Sequence, residues 1–188
     1  LVLLPGSYQA NDPQRKASEA QFSREDLGLP ASGTVLACFN HTYKINPQVF
    51  GSWMRILQAC PQAVLWLMED SAEASSNLRR EAQARGVDPG RLTFAPRMPT
   101  AHHLARHRCA DLFLDTWPYN AHTTASDALW MGVPVVTLAG RSFASRVAAS
   151  LLHAVGQPET ATATPAAYEA LAIDLVRDCA RRQALKDH

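Results

Sequence analysis

The sequence predicts an α/β fold with a five-stranded, doubly wound parallel sheet. Short apolar runs suited to buried strands alternate with amphipathic helical patterns. The spacing between consecutive runs leaves room for one crossover helix each. Parallel strands joined by right-handed crossovers form such a sheet, and its ligands bind beyond the carboxyl ends of the strands, near the point where the strand order reverses. A length of 188 residues suits one domain of this kind.

The strand-like runs and the helical patterns follow one another regularly. The apolar runs cover residues 34–39, 64–68, 91–95, 110–115 and 133–138. The helical patterns cover residues 47–60, 75–85, 99–108, 123–131, 142–153 and 165–182. The first helix has the clearest start, because Asn46 is a typical N-cap residue and proline, here Pro47, is favoured at the first helical position.

The first 33 residues differ in composition from the remainder. They are polar and interrupted by prolines and glycines, which predicts a leader or interdomain segment with room for one short helix. Residues 34–188 are predicted to form the sheet domain. The opening Leu1–Leu4 is followed at once by Pro5 and Gly6, which argues against a signal peptide. We expect a strand or linker that is entered partway through a longer protein.

Composition excludes several classes of function. The hydrophobic fraction is 47%, and the formal net charge is only +1. This balance predicts no bulk electrostatic binding to nucleic acid or to a membrane surface. The four cysteines lack metal-ligand spacing and lie in or beside apolar runs, so we expect reduced, mostly buried thiols and a cytoplasmic protein. No apolar stretch approaches the roughly 20 residues needed to span a bilayer.

Two groups of polar residues follow the first and third runs. Lys44 stands in a loop just past the first run, where a lysine can reach a bound phosphate, although a solvated loop lysine is the simpler interpretation. His103 and His107 share a helical face, but no third zinc ligand is obvious nearby. His103 and Arg106, one turn apart, are better placed to bind a flat base, and a surface helix with ordinary cationic residues is the alternative.

The densest polar group, residues 115–127, follows the fourth run. Its last part opens a helix, where backbone N–H groups and the helix dipole favour an anion. Thr123 and Thr124 add two hydroxyl groups, so the segment predicts a diphosphate site, and a simple N-cap is the alternative. No dinucleotide, P-loop or hydrolase glycine motif is present.

Five aromatic residues belong either to the predicted core or to loops. Trp53, Trp66 and Trp130 fall on apolar stripes and are predicted to lie in the core, whereas the roles of Trp117 and Tyr119 are left open.

At these groups the sequence resembles the O-GlcNAc transferase family of glycosyltransferases. The resemblance runs from about residue 35 to 156 and rests on FNHTYKINP (39–47), VLWLM (64–68), the helix with His103 and Arg106, ADLFLDTWPYNAHTTASDALWMGVPVVTL (110–138) and FASRVAASLL (143–152). It implies a Rossmann-like domain that forms the C-terminal half of a GT-B glycosyltransferase. The N-terminal catalytic domain and the preceding tetratricopeptide-type helical repeats would be absent from this chain.

The resemblance also implies roles for the diphosphate side of the site. Lys44 would contact the diphosphate of the donor and stabilise the UDP leaving group, as the catalytic residue of this half. Thr123 and Thr124 would bind the same diphosphate, and His122 would face the diphosphate or the sugar. His41 stands where animal relatives carry glutamine, so one diphosphate contact is expected to differ.

On the nucleoside side, the resemblance places His103 stacked on uracil and Arg106 beside the base. Asp127 would hold the ribose. Thr100 stands where animal relatives carry a lysine near the ribose, which weakens the ribose assignment.

The function implied is that of the UDP-GlcNAc-binding domain of an inverting, metal-independent protein O-glycosyltransferase that acts on Ser or Thr and uses no cofactor. Its partners would be UDP-GlcNAc and a protein acceptor, and the chain alone would bind nucleotide without transferring sugar. A UDP-glucose-dependent protein N-glycosyltransferase, a sugar-nucleotide epimerase and a non-catalytic nucleotide-binding or interaction module remain as alternatives.

Overall fold

The computed structural model describes residues 7–187 and contains a six-stranded parallel sheet. The strands are β1 (Val35–Cys38), β2 (Val64–Met68), β3 (Leu92–Ala95), β4 (Leu112–Leu114), β5 (Val135–Leu138) and β6 (Ala161–Thr162). Their order is β3-β2-β1-β4-β5-β6, and every neighbouring pair is parallel. The α/β class and the doubly wound parallel sheet are therefore confirmed.

In this described part of the chain, seven α-helices connect and flank the strands. They are α1 (Pro47–Ala59), α2 (Ala72–Ala84), α3 (Thr100–Arg106), α4 (Thr123–Trp130), α5 (Val147–Ala154), α6 (Pro165–Arg177) and α7 (Cys179–Asp187). The start of α1 is as predicted, because the Asn46 side chain accepts hydrogen bonds from the backbone N–H groups of Gln48 and Val49. This cap satisfies two donors that the helix itself leaves unpaired.

The strand order reverses between β1 and β4. The chain builds outward from β1 through β2 to β3 and then returns, so that β4 pairs with the other side of β1, with Ala37 opposite Phe113. Both residues are fully buried, as are Trp53 and Trp66. Loops that leave the carboxyl ends of β1 and β4 consequently meet at one edge of the sheet.

Several sequence predictions need correction. The sheet has a sixth strand that was not predicted, because only two residues pair there and so short a run has no recognisable pattern. The helix predicted over residues 165–182 is two helices, since the Asp178 backbone is non-helical and its side chain caps α7 by accepting from Arg181 N. Trp130, the last residue of α4, is 45% exposed rather than in the core.

Helix boundaries also shift. The α2 helix begins at Ala72 instead of residue 75, because Ser71 caps it by accepting from Ala74 N. In the helix predicted over residues 142–153, a 3₁₀ turn (Phe143–Ser145) precedes α5. In the helix predicted over residues 99–108, a 3₁₀ turn (His107–Cys109) follows α3.

The N-terminal part packs onto the domain where it is described. Leu29 is buried in the core, and Arg24 Nη2 lies 2.7 Å from Asp111 Oδ2, just before β4. The one short helix of this part is a 3₁₀ turn, Glu25–Leu27. The expectation for Leu1–Leu4 and the following Pro5 and Gly6 falls outside the described residues.

Among residues 7–187, no helix combines the length and the apolar character that crossing a bilayer requires.

Candidate functional site

A polar cleft lies at the carboxyl edge of the sheet, between the loops that follow β1 and β4. Its volume is about 340 Å³. The lining residues are Tyr8, Gln9, Asn40, His41, Tyr43, Lys44, Tyr119, His122, Thr123 and Thr124. Five of the eight predicted site residues thus share one cleft, at the edge of the sheet where the predicted topology placed them.

Lys44 is the cation of this cleft. It ends a 3₁₀ turn after β1, and its Nζ donates a hydrogen bond to Asn120 O at 2.9 Å. The same Nζ lies 3.8 Å from the centre of the Tyr119 ring. Burial lowers the pKa of Lys44, while the negative charge of Asp115 opposes that shift. Because both direct contacts are neutral, the ammonium keeps its charge available for an anion.

The loop after β4 is organised around a buried carboxylate. Asp115 is fully buried, and its Oδ1 accepts hydrogen bonds from Thr116 N at 2.7 Å and Ala121 N at 2.6 Å. Its Oδ2 accepts from Thr137 Oγ1 at 2.6 Å. Burial raises the pKa of Asp115 to about 7, although these hydrogen bonds favour the charged form. The carboxylate holds the loop in the shape that brings the Asn120 carbonyl to Lys44.

Asn40 links the two loops through a chain of hydrogen bonds with a fixed direction. The Tyr119 carbonyl only accepts, and Thr116 Oγ1 donates to it at 2.7 Å. Thr116 Oγ1 must therefore accept from Asn40 Nδ2, which lies 2.9 Å away. That orientation turns Asn40 Oδ1 toward Thr124, whose hydroxyl donates to it.

The consequence concerns the two threonines. The Thr124 hydroxyl proton is used by Asn40, so Thr124 offers the cleft its oxygen lone pairs and its backbone N–H. Thr123, at the first position of α4, keeps the predicted place at a helix N-terminus, where unpaired N–H groups and the helix dipole favour an anion.

His122 stands at the entrance to α4, as its N-cap residue. Burial is the main cause of its lowered pKa, and the charge of Lys44 lowers it further. Its Nδ1 lies 2.7 Å from Tyr8 Oη. Its Nε2 is buried, and a hydrogen bond with the Ala144 backbone opposes the lowering of the pKa of His122.

His41 lies at the rim of the cleft and is turned toward the end of β2. Its Nδ1 is 3.1 Å from Asp70 Oδ1, and Arg97 Nη2 lies at the same distance from that oxygen. The Asp70 carboxylate also accepts from the backbone N–H of Thr42, which fixes the turn that carries Lys44.

His103 and Arg106 form a second group on α3. Arg106 is fully buried; its Nη1 donates to Pro96 O at 2.6 Å, and its guanidinium carbon lies 4.9 Å from the centre of the Phe39 ring. Its Nη2 lies 2.5 Å from His103 Nδ1. Because a guanidinium only donates, His103 Nδ1 accepts and its proton is on Nε2. Arg106 thereby orients His103. The position of Arg106 beside a base stays a prediction.

The His103 ring is kept neutral. Burial is the main cause that lowers the pKa of His103 to about 3, followed by the neighbouring His107 and Arg106. His107 Nδ1 donates to the His103 carbonyl at 2.7 Å, so its proton is fixed as well. No group of three histidine, cysteine or acidic side chains suited to a metal occurs in the described part of the chain.

Asp127 lies on the second turn of α4, and its side chain is only 8% exposed. Burial raises the pKa of Asp127, and an ion pair with Arg15, at 2.6 Å, opposes that shift. Thr100 begins α3. Neither Arg15 nor Asn40 was predicted to be a site residue, since neither forms a local motif. The position of Asn40 directly after β1 was the one signal that could have indicated it.

Comparisons with known proteins agree on one family. The sequence profile described as "Glycosyl transferase family 41" matches residues 9–188. A protein of Arabidopsis thaliana named as a probable UDP-N-acetylglucosamine–peptide N-acetylglucosaminyltransferase is 38% identical over 161 residues, which is 83% of this chain and 16% of that protein. A Caenorhabditis elegans UDP-N-acetylglucosamine–peptide N-acetylglucosaminyltransferase is 38% identical over 156 residues, 83% of this chain and 14% of that protein.

Solved structures extend the comparison to three dimensions. A mutant of the Thermobaculum terrenum O-GlcNAc transferase superposes with a TM-score of 0.83 and 37% identity, covering 95% of this chain and 33% of that one. A putative UDP-N-acetylglucosamine 2-epimerase of Listeria monocytogenes, 14% identical with a TM-score of 0.58 over 90% of this chain and 43% of that one, shares the fold alone. The chain spans about one sixth of the two curated relatives. With the profile matching nearly its whole length, the chain belongs to glycosyl transferase family 41.

Proposed function

We propose that this chain is the UDP-GlcNAc-binding half of an inverting, metal-independent glycosyltransferase that modifies Ser or Thr hydroxyl groups of proteins. The observation that carries the proposal is the position of the Lys44 ammonium. It shares one cleft with Thr123, at the N-terminus of α4, and its own contacts are neutral. Family membership and the names of the relatives support the choice of donor and reaction.

The cleft supplies positive potential where a leaving group would need it. Negative charge builds on the diphosphate as its bond to the sugar breaks, and a preplaced cation lowers that barrier. Lys44 provides the cation, and the first turn of α4 adds N–H groups and the positive end of a helix dipole. These are the charges that a bound divalent cation would otherwise contribute. His122 lines the same cleft and would face the diphosphate or the sugar.

The nucleoside side would use α3. The neutral ring of His103, oriented by the buried guanidinium of Arg106, suits stacking on uracil. A protonated ring would stack less favourably beside the charges of Arg15 and Arg106, and burial prevents that protonation near neutral pH.

Transfer would require more protein than this chain. It covers 33% of the bacterial O-GlcNAc transferase that it resembles in structure. The chain alone would bind the donor nucleotide, while the acceptor protein and the catalytic base would meet it across a second domain. A cytoplasmic setting belongs to the same proposal and is supported by four free cysteines, three of them buried.

Calorimetric titration of the chain with UDP, UDP-GlcNAc, UDP-glucose and GDP tests the donor site. We expect Kd values of roughly 10 μM to 1 mM for the uridine nucleotides and weaker binding of GDP. His103→Ala should weaken UDP binding. His102→Ala is the matched control, because His102 neighbours His103 but is exposed, and it should bind UDP like the wild type. A folded chain that binds no uridine nucleotide would contradict the proposal.

The choice of sugar and acceptor needs the full-length enzyme. Transfer from UDP-GlcNAc to Ser or Thr peptides is the expected result. Transfer from UDP-glucose to Asn peptides would instead show a protein N-glycosyltransferase with the same diphosphate site.

A further inference from the structure

The turn that carries Lys44 has no cap from the residue that precedes it. Residues Thr42–Lys44 form a 3₁₀ turn after β1, and the His41 side chain makes no capping hydrogen bond to this turn. The first backbone N–H groups of a helical turn have no partner within the turn. A side chain from elsewhere in the fold can therefore fix the position of the turn, and with it the position of Lys44.

Asp70, which follows the neighbouring strand β2, supplies this cap. Its Oδ2 accepts hydrogen bonds from the Thr42 backbone N–H at 2.5 Å and from Thr42 Oγ1 at 2.9 Å. Its Oδ1 lies 3.1 Å from His41 Nδ1, and because an ionised carboxylate only accepts, that nitrogen carries the proton and donates. One carboxylate thus holds two consecutive residues of the segment that leads to Lys44.

The negative charge of Asp70 is compensated at the rim of the cleft. Arg97, which follows β3, places its Nη2 3.1 Å from Asp70 Oδ1. Burial alone would raise the pKa of Asp70, but the hydrogen bonds from Thr42 and the neighbouring His41 lower it overall, so the group is a carboxylate at neutral pH. An ionised acceptor makes the stronger cap, and the nearby guanidinium reduces its repulsion of an anion in the cleft.

Lys44 is consequently held at both ends. Asp70 fixes its backbone through Thr42, while the Asn120 carbonyl and the Tyr119 ring contact its Nζ. A lysine has a long, flexible side chain, and ordering it on a loose backbone would cost additional conformational entropy. The cap reduces that cost before any ligand binds.

We propose that Asp70 is a positioning residue of the donor site. It sets the place of the Lys44 ammonium, and through that ammonium it sets the affinity for the diphosphate, while Asp70 itself is not among the residues that line the cleft. The inference rests on the proposed function, and it extends the donor site to the loop after β2.

Titrations of UDP into Asp70→Asn, Asp70→Ala and Asp88→Ala, with thermal unfolding of each, test this inference. Both substitutions of Asp70 remove the same negative charge, but asparagine keeps an oxygen that can accept from the Thr42 N–H. Asp70→Ala should therefore bind UDP about three- to tenfold more weakly than Asp70→Asn, because Lys44 is still present but less well placed. Asp88 is the matched control, since it also caps a 3₁₀ turn, Pro89–Arg91, but at the amino end of β3. Asp88→Ala should bind UDP like the wild type.

A second pair of measurements connects the effect to Lys44. In the Lys44→Met background the same two substitutions of Asp70 should differ by less than about twofold, because the ammonium that Asp70 positions is absent. NMR titration is suited to the weak binding expected there. An equal difference in both backgrounds would mean that Asp70 acts on the site without Lys44, and it would overturn the inference.

The other outcomes also decide. Equal UDP affinity of folded Asp70→Ala and Asp70→Asn would show that the hydrogen bond to the turn does not affect the site, and it would refute the inference. A loss of the same size in Asp88→Ala would refute it as well, since the effect would then belong to fold stability in general. Absence of UDP binding by the folded wild-type chain would refute the proposed function itself, whereas the preceding results would refute only the role of Asp70.

Discussion

Replacement of Lys44 by methionine should separate nucleotide binding from stability. Methionine keeps an unbranched side chain but removes the ammonium that the Asn120 carbonyl and the Tyr119 ring hold in the cleft. A charge-assisted hydrogen bond to a phosphate is worth about 1.5–3 kcal/mol, so UDP affinity should fall about 10- to 150-fold.

The stability of the fold should change little. Burial lowers the pKa of Lys44, which means that folding disfavours its charged form relative to the unfolded chain. Removal of the charge relieves that cost and loses the contacts with Asn120 and Tyr119. We expect these effects to offset one another within about 1 kcal/mol, a change in Tm of no more than about 4 °C.

Calorimetry with UDP and thermal unfolding of the same samples measure the two quantities. Lys186→Met is the matched control, because Lys186 is partly buried and donates to the Ala110 carbonyl at 3.3 Å, at the opposite edge of the sheet. It should bind UDP like the wild type. Wild-type affinity in folded Lys44→Met would refute the role of this ammonium, and an equal loss in Lys186→Met would attribute it to net charge alone.

Two further predictions concern the groups that shape the cleft. Asn40→Asp replaces the amide donor that faces Thr116 Oγ1 with a carboxylate oxygen beside Asp115. This change should destabilise the fold by about 3–5 kcal/mol at pH 8. The loss should be smaller at pH 5, because the protonated carboxyl of the new side chain again donates a hydrogen bond. Urea unfolding at both pH values checks this, and an equal loss at both would argue against the fixed hydrogen-bond direction. Asp115→Asn should flatten the pH dependence of stability, because burial raises the pKa of Asp115 from 3.8 to about 7. The stability that the protonated carboxyl contributes is fully present below about pH 4. It is lost as the pH rises to about 7, by an amount on the order of 4 kcal/mol. The difference in unfolding free energy between wild type and variant from pH 4 to 8 measures this slope, and parallel profiles would contradict it.

Local sequence patterns were sufficient for most of the architecture. Five strands lie where apolar runs predicted them, because a strand buried on both faces requires an uninterrupted apolar stretch. Asn46 caps α1 as predicted, since capping depends on residues within one turn. The prediction missed β6 because only two residues form that strand. It also missed the break at Asp178, where the side chain of this residue caps the next helix.

The candidate site was predictable only in outline. Lys44 and Thr123 could be assigned to the carboxyl edge of the sheet, because parallel strands present all their carboxyl ends on one side. The burial of Arg106 against Phe39 was not predictable, since a helical pattern does not say which strand lies beneath the helix.

The sequence by itself determined the alternation of strands and helices and the order of polar groups along the chain. The tertiary structure decided which of those groups meet. Asn40 reaches Thr124 because β4 returns beside β1, and Arg15 reaches Asp127 because the N-terminal segment packs against α4. Such contacts join residues that are far apart in the chain, and their geometry depends on the strand order and on burial, which no local pattern encodes.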